Sequence, residues 1–157
     1  MNDVLEITSN SESETEALGK SLMKLLPEGV VVALRGDLGA GKTCFVRGMA
    51  AAIDSTAVSS PTFTMVHEYA GARTIYHVDL YRIGAPAEVL DLGYEDLFEP
   101  GDGVSIIEWA ERAESMLPTT RIDITLQHAD EHVRKIRVTN AGVLTGDWQE
   151  RLREAQG

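Results

Sequence analysis

The sequence predicts an α/β fold built on a mixed sheet, parallel at its centre and antiparallel at two hairpins, with helices on its flanks. Three observations predict it. Val30-Val31-Val32-Ala33-Leu34 is a short, wholly apolar run, the pattern of a strand buried on both faces of a covered parallel sheet. It leads into a glycine-rich segment, Gly36 to Thr43, followed by a helical pattern with Phe45, Val46, Met49, Ala50 and Ile53 on one face. Further along, two pairs of extended segments are each joined by a short connection, as in hairpins.

Taken in order, Val4–Ile7 is a short first strand. Ser13-Glu14-Thr15-Glu16 fits a capping box, in which hydroxyl and carboxylate satisfy the free amides of a helix start. Leu18, Leu22, Leu25 and Leu26 follow at helical spacing, and Pro27-Glu28-Gly29 ends the helix. After the central strand, the glycine loop and its helix, Ser59-Ser60-Pro61-Thr62 is a loop. Phe63–Tyr69 and Thr74–Asp79 read as strands joined through Ala70-Gly71-Ala72-Arg73. Pro86–Leu92 is a short helix with Pro in its first turn and Gly93 past its end. Val104–Glu108 is a second buried strand, and a helix over Ala110–Met116 stops before Pro118. Ile122, Ile124 and Leu126 alternate with Asp123, Thr125 and Gln127, and Arg134–Val138 pairs back on them. Asp147–Ala155 is a closing helix with Trp148 and Leu152 inward.

Nothing in the 157 residues separates two units, so a single domain is expected. With 43% hydrophobic and 25% charged residues the chain reads as globular, and no apolar run reaches membrane-spanning length. Met1–Glu6 has neither the basic nor the apolar region of an export signal, and Cys44 is the one cysteine. A cytoplasmic location is expected. The net charge is −11, with 14 Lys and Arg against 25 Asp and Glu, which argues against a broad phosphate-neutralising surface for nucleic acid. Work in a nucleic-acid pathway would run through protein partners.

The chemistry is concentrated in Gly36-Asp37-Leu38-Gly39-Ala40-Gly41-Lys42-Thr43, a Gly-x-x-x-x-Gly-Lys-Thr P-loop. Its glycines let the backbone curl around a phosphate with amides inward, and the helix that follows adds its positive end. Lys42 supplies a charge for the β- and γ-phosphates of ATP, and the Thr43 hydroxyl a ligand for Mg2+. A second magnesium anchor is expected at the end of a neighbouring apolar strand, where Asp79 is the first choice over an Asp that merely caps the next turn. Glu108 ends another such strand and either holds a magnesium-bound water, orients the attacking water, or is a solvated strand exit. Trp109 stacks near the nucleotide or packs in the core, the latter being the simpler reading. Thr62 lies on a loop where switch segments sense a γ-phosphate. His77 shares a strand face with Asp79 and reads most simply as a hydrogen-bonded strand histidine. The four histidines and Cys44 lack zinc spacing, and no Gly-x-Ser-x-Gly elbow supports a serine triad.

Leu34–Thr43, Ser60-Pro61-Thr62-Phe63-Thr64, His77-Val78-Asp79-Leu80-Tyr81-Arg82 and Ile107-Glu108-Trp109, in this order, resemble the TsaE (YjeE) family. The likeness runs from about Ser13 to Val138. It implies a modified P-loop NTPase fold and slow ATP hydrolysis in the bacterial machinery that makes threonylcarbamoyladenosine in tRNA. The partners it implies are transferase subunits of the TsaB/TsaD type, with little direct tRNA binding by this chain. It implies Thr43 and Glu108 on magnesium, Asp79 as the second anchor, Thr62 in a nucleotide-sensitive loop and Trp109 beside the site. It also implies that Ser11 or Glu12, and Arg134, approach the nucleoside. Cys44 stands where the family commonly has a second Thr, which alters a side-chain contribution and leaves the phosphate amides untouched.

Two other readings compete. A small-molecule kinase opens with the same loop but needs an arginine-rich lid, and between Asp79 and Pro118 there are only Arg82 and Arg112. A nucleotide-gated, non-catalytic binding module shares every feature except turnover. A GTPase would carry Asn-Lys-x-Asp, which the sequence lacks.

Overall fold

The computed structural model describes residues 3–37, 39–55 and 66–155. Strands β1 (Val4–Ser9), β2 (Val30–Arg35), β3 (Val66–Ala70), β4 (Thr74–Asp79), β5 (Val104–Glu108), β6 (Arg121–His128) and β7 (Arg134–Ala141) form a sheet in the order β1-β7-β6-β2-β5-β4-β3. The four central strands, β6, β2, β5 and β4, are parallel, whereas β1–β7, β6–β7 and β3–β4 are antiparallel pairs. This is the mixed sheet with a parallel core that the hydrophobic pattern predicts.

Helices α1 (Glu12–Leu25), α2 (Lys42–Ala52) and α4 (Trp148–Glu154) cover one face; Leu18, Leu22, Phe45, Met49, Trp148 and Leu152 meet Val32, Ile106 and Ile124 there. Helix α3 (Pro86–Asp91) and the turns that follow cover the other face only over β2, β5 and β4, through Val31, Ala33, Val78, Ile107, Val89 and Phe98. That difference explains the two strand patterns. All five residues of β5 are buried, while β6 alternates because Thr125 and Gln127 project from the uncovered end of the sheet.

α1 and α2 approach unusually closely. A Cβ at Gly48 would collide with the Glu16 carbonyl, and one at Gly19 with the Phe45 carbonyl. The pair fixes where α2, and hence the glycine loop at its start, sits against the end of β1.

Several boundaries differ from expectation. β1 runs two residues past Ile7 because Thr8 and Ser9 continue to pair with Lys135 and Arg134. The helix cap is Ser11, not Ser13. The Ser-x-x-Glu pattern also occurs at Ser11–Glu14, where Ser11 Oγ accepts from Glu14 N at 3.1 Å and Glu14 Oε2 from Asn10 N at 2.5 Å. Glu16 is thereby released to pair with Arg47 Nη1 at 2.8 Å. β7 extends to Ala141. The segment Ala110–Met116 is 3₁₀ rather than α-helical, broken at Ala113. Its buried Ala110 and Ala113 and the partly buried Met116 recur every third residue, the spacing that a 3₁₀ turn eclipses onto one side. Leu38, Thr62 and the strand start at residues 63–65 lie outside the described residues. Among those described, no helix is long and apolar enough to cross a membrane.

Candidate functional site

Register brings the chemistry together. In the parallel core, Glu108 lies opposite Leu34 of β2 on one side and Asp79 of β4 on the other. The carboxyl ends of these strands therefore meet beside the glycine loop, the expected place for a ligand in an open α/β sheet. Gly41 caps α2 in a left-handed conformation (φ 102°), which a side chain would strain; the first turn of the helix thus opens onto the cleft.

The cleft, roughly 500 Å³, is lined by Gly39, Gly41, Lys42, Thr43, Asp79 and Glu108 at one end. Ser11, Glu12, Cys44 and Arg134 line it as well, with Trp109 also on the wall. Among the sequence candidates, Asp37 stands next to it at an exposed position. Gly36 and Ala40 sit at the base of the loop.

Lys42 is 6% exposed, and its Nζ makes no hydrogen bond. It lies 3.9 Å from Glu108 Oε1 and 4.3 Å from the centre of the Trp109 ring. A buried ammonium supported only by a long ion pair and a ring face retains unused donors, so the position suits an anion. Arg134 Nε, packed beside the loop, is likewise buried without a partner, while its Nη1 donates to the Asp130 and Val133 carbonyls at 2.9 and 3.0 Å.

Glu108, also 6% exposed, accepts through Oε2 from His77 Nε2. It is not a solvated strand exit. Asp79 is half-buried. Burial raises its carboxyl above the ordinary range, and the Glu108 charge adds to this against the opposing hydrogen bond from Tyr81 N (2.9 Å). Asp79 does cap the following turn, and the same carboxylate faces the cleft. An incoming cation would relieve the crowding of the two carboxyls. Thr43, Asp79 and Glu108 are all oxygen donors, suited to a hard cation. Among the described residues no group of three His, Cys, Asp or Glu could hold a metal by itself, so phosphate and water oxygens would have to complete the shell.

Trp109 is held at φ 58°, ψ 41°, a left-handed conformation costing a bulky residue about 1–3 kcal/mol. The strain places its ring against Lys42, with Tyr81 5.1 Å and Arg112 5.6 Å away. It faces the cleft rather than only the core. Cys44 borders the cleft, but burial, followed by the Glu12 carboxylate, pushes its thiol up, so it is not an activated nucleophile. Thr15, Arg47, Tyr81, Glu131 and His132, none of them assigned to the site from sequence, complete the lining. Only the proximity of Tyr81 to Asp79 in the chain hinted at any of them.

A family model described as threonylcarbamoyl adenosine biosynthesis protein TsaE matches residues 9–136. The tRNA threonylcarbamoyladenosine biosynthesis protein TsaE of Bacillus subtilis is 42% identical over 137 residues, 86% of this chain and 84% of that protein. Its counterpart from Treponema pallidum is 39% identical over 135 residues, 85% of this chain and 99% of that protein. Among solved structures, Bacillus subtilis YdiB has a TM-score of 0.72 at 32% identity, covering 99% of this chain and 95% of that one. The match spans the glycine loop, both strand-end carboxylates and the sheet that aligns them: the chain belongs to the TsaE family, whose role is the biosynthesis of threonylcarbamoyladenosine in tRNA.

Proposed function

We propose that the chain is a magnesium-dependent ATPase that acts in threonylcarbamoyladenosine biosynthesis through transferase subunits of the TsaB/TsaD type. The observation that carries this reading is the buried, hydrogen-bond-free Lys42 Nζ at the mouth of the glycine loop, beside two strand-end carboxylates. The loop amides and the start of α2 hold the phosphates, and Lys42 Nζ turns from Trp109 and Glu108 to the β- and γ-oxygens. Thr43, Asp79 and Glu108 hold magnesium, which neutralises phosphate charge when bound. In hydrolysis a water oxygen bonds to the γ-phosphorus while the bond to the β,γ-bridging oxygen breaks, ADP leaves, and the water proton passes to solvent. Ser11, Glu12 and Arg134 border the nucleoside end. Cys44 contributes its amide to the loop.

Trp109 reports on the first part of this reading. Because Lys42 rests on its ring, drawing the ammonium to a phosphate is expected to change Trp109 emission on titration with ATP and magnesium. Trp148, the buried first residue of α4, lines no part of the cleft and stays silent. A response that survives Trp109→Phe would place the sensing residue elsewhere.

The partner half is tested by association. Thr62 is proposed to lie on a loop sensitive to the γ-phosphate, and a ligand shifts such an equilibrium only by its differential affinity for the two states. Affinity for the transferase subunits is therefore expected to differ between ATP and ADP, with weak binding of the lone chain to tRNA at physiological salt. Equal partner affinity with ATP, ADP and no nucleotide contradicts the switch; tight, salt-sensitive tRNA binding contradicts the charge argument.

A further inference from the structure

The sheet face beneath α2 carries a buried polar chain to which the proposed function gives no task. Glu108 accepts from His77 Nε2 through Oε2, leaving Oε1 directed to Lys42 Nζ. His77 is 1% exposed, and its Nδ1 lies 3.2 Å from the Tyr69 hydroxyl. Three adjacent strands thus supply one member each: Tyr69 from β3, His77 from β4 and Glu108 from β5. The neighbours on this face, Ile75 and Ile106, are fully buried hydrocarbon.

Valence assigns the protons. An ionised carboxylate can only accept, so Nε2 carries the hydrogen. The Tyr69 hydroxyl, able to donate or accept, meets the other ring nitrogen. Both ring nitrogens are occupied, and the ring cannot flip without breaking both contacts.

We propose that His77, held by Tyr69, is the positioning residue of Glu108: it occupies Oε2 and fixes the carboxylate's rotation, so that Oε1 is the oxygen presented to Lys42 and the phosphate end of the cleft. The role of Glu108 in turnover rests on the ATPase reading; the alignment itself does not. In a dry pocket a carboxylate supported only by an ion pair at 3.9 Å is free to rotate, whereas a directional N–H removes that freedom before substrate arrives. A histidine serving only to fill the core would need no such donor–acceptor order.

Full-length His77→Leu, His77→Gln and Tyr69→Phe separate the possibilities. Gln can return an N–H near the position of Nε2; Leu cannot. Loss of a group that orients a metal or phosphate ligand is expected to lower kcat by about 10–100-fold in His77→Leu with KM for ATP little changed, and the Gln variant recovers most of it. Tyr69→Phe, which leaves the ring in place, gives a smaller loss and carries the comparison should His77→Leu fail to fold. A second measurement needs no turnover. Nitrogen-15 NMR of the nucleotide-free protein is expected to show a hydrogen on His77 Nε2, with a ring signal that moves in Glu108→Gln. An Nε2 without a hydrogen, or a signal indifferent to Glu108→Gln, overturns the proposal, as does a folded Gln variant no better than Leu. A wild-type chain that neither binds nor hydrolyses ATP sinks the ATPase reading instead, and the ring signal alone then decides whether His77 holds Glu108.

Discussion

Lys42→Ala is expected to weaken ATP binding by about 100–1,000-fold, the loss of roughly two charge-assisted hydrogen bonds at ~1.5–2 kcal/mol each. The expected stability change distinguishes this from damage to the fold. Lys42 Nζ is buried without a hydrogen bond, so its removal takes away a desolvated charge rather than a satisfied one. Glu108 loses only a counter-charge 3.9 Å away and keeps its bond from His77. The relief of one buried charge and the loss of its contacts with Glu108 and Trp109 oppose each other, so the melting temperature of the nucleotide-free variant is expected to change little while affinity collapses. Calorimetric titration with ATP and a thermal melt on the same sample check both. An unchanged titration curve refutes the assignment of the glycine loop.

The second large effect is on turnover. Asp79→Ala and Glu108→Ala are each expected to cut hydrolysis by about 100–1,000-fold, comparable to removing one preorganised transition-state group, while nucleotide affinity falls by less than about tenfold. The asymmetry follows from place: both carboxylates end parallel strands beside the loop, whereas the proposed function draws phosphate affinity from the loop amides and Lys42. Asp79 carries a further sign. Its carboxyl is raised by burial and by Glu108, so in the nucleotide-free protein the charged form is disfavoured and its ionisation costs stability as pH rises through that raised value. Asp79→Asn is accordingly expected to be no less stable than wild type at neutral pH, even as hydrolysis is lost. Single-turnover hydrolysis and nucleotide titration separate the two quantities. Normal hydrolysis in both Ala variants would remove Asp79 and Glu108 from the magnesium site.

Local chemistry made the centre of the molecule legible. A five-residue apolar run rich in valine and ended by a glycine loop reads as a strand covered on both faces, and the amphipathic pattern after Gly-Lys-Thr reads as a helix. The alternation in β6 likewise marked a strand that pairs with the next in a hairpin. Boundaries were less legible where two local solutions compete. Ser-x-x-Glu occurs at Ser11 and again at Ser13, and the pairing of β1 with β7 through Ser9 decided for the first. Ala110–Met116 has helical composition, yet burial of alanines at every third position decided for 3₁₀ turns.

What the sequence determined by itself is the set of groups: a glycine loop, its lysine and hydroxyl, and carboxylates at strand ends, because each depends on residues adjacent in the chain. Only the tertiary structure decided their partnerships. Asp79 and Glu108 are 29 residues apart in the chain and become neighbours through a parallel register that no local pattern encodes. His77 changes from an ordinary strand histidine into the donor to Glu108 for the same reason. Trp109 faces Lys42 only because the chain turns left-handed there, a strained choice that the packing of Ala110 and Ala113 beyond it sustains. Pairing between distant strands is chosen by the burial of whole faces, and that free energy belongs to the sheet rather than to any segment of it.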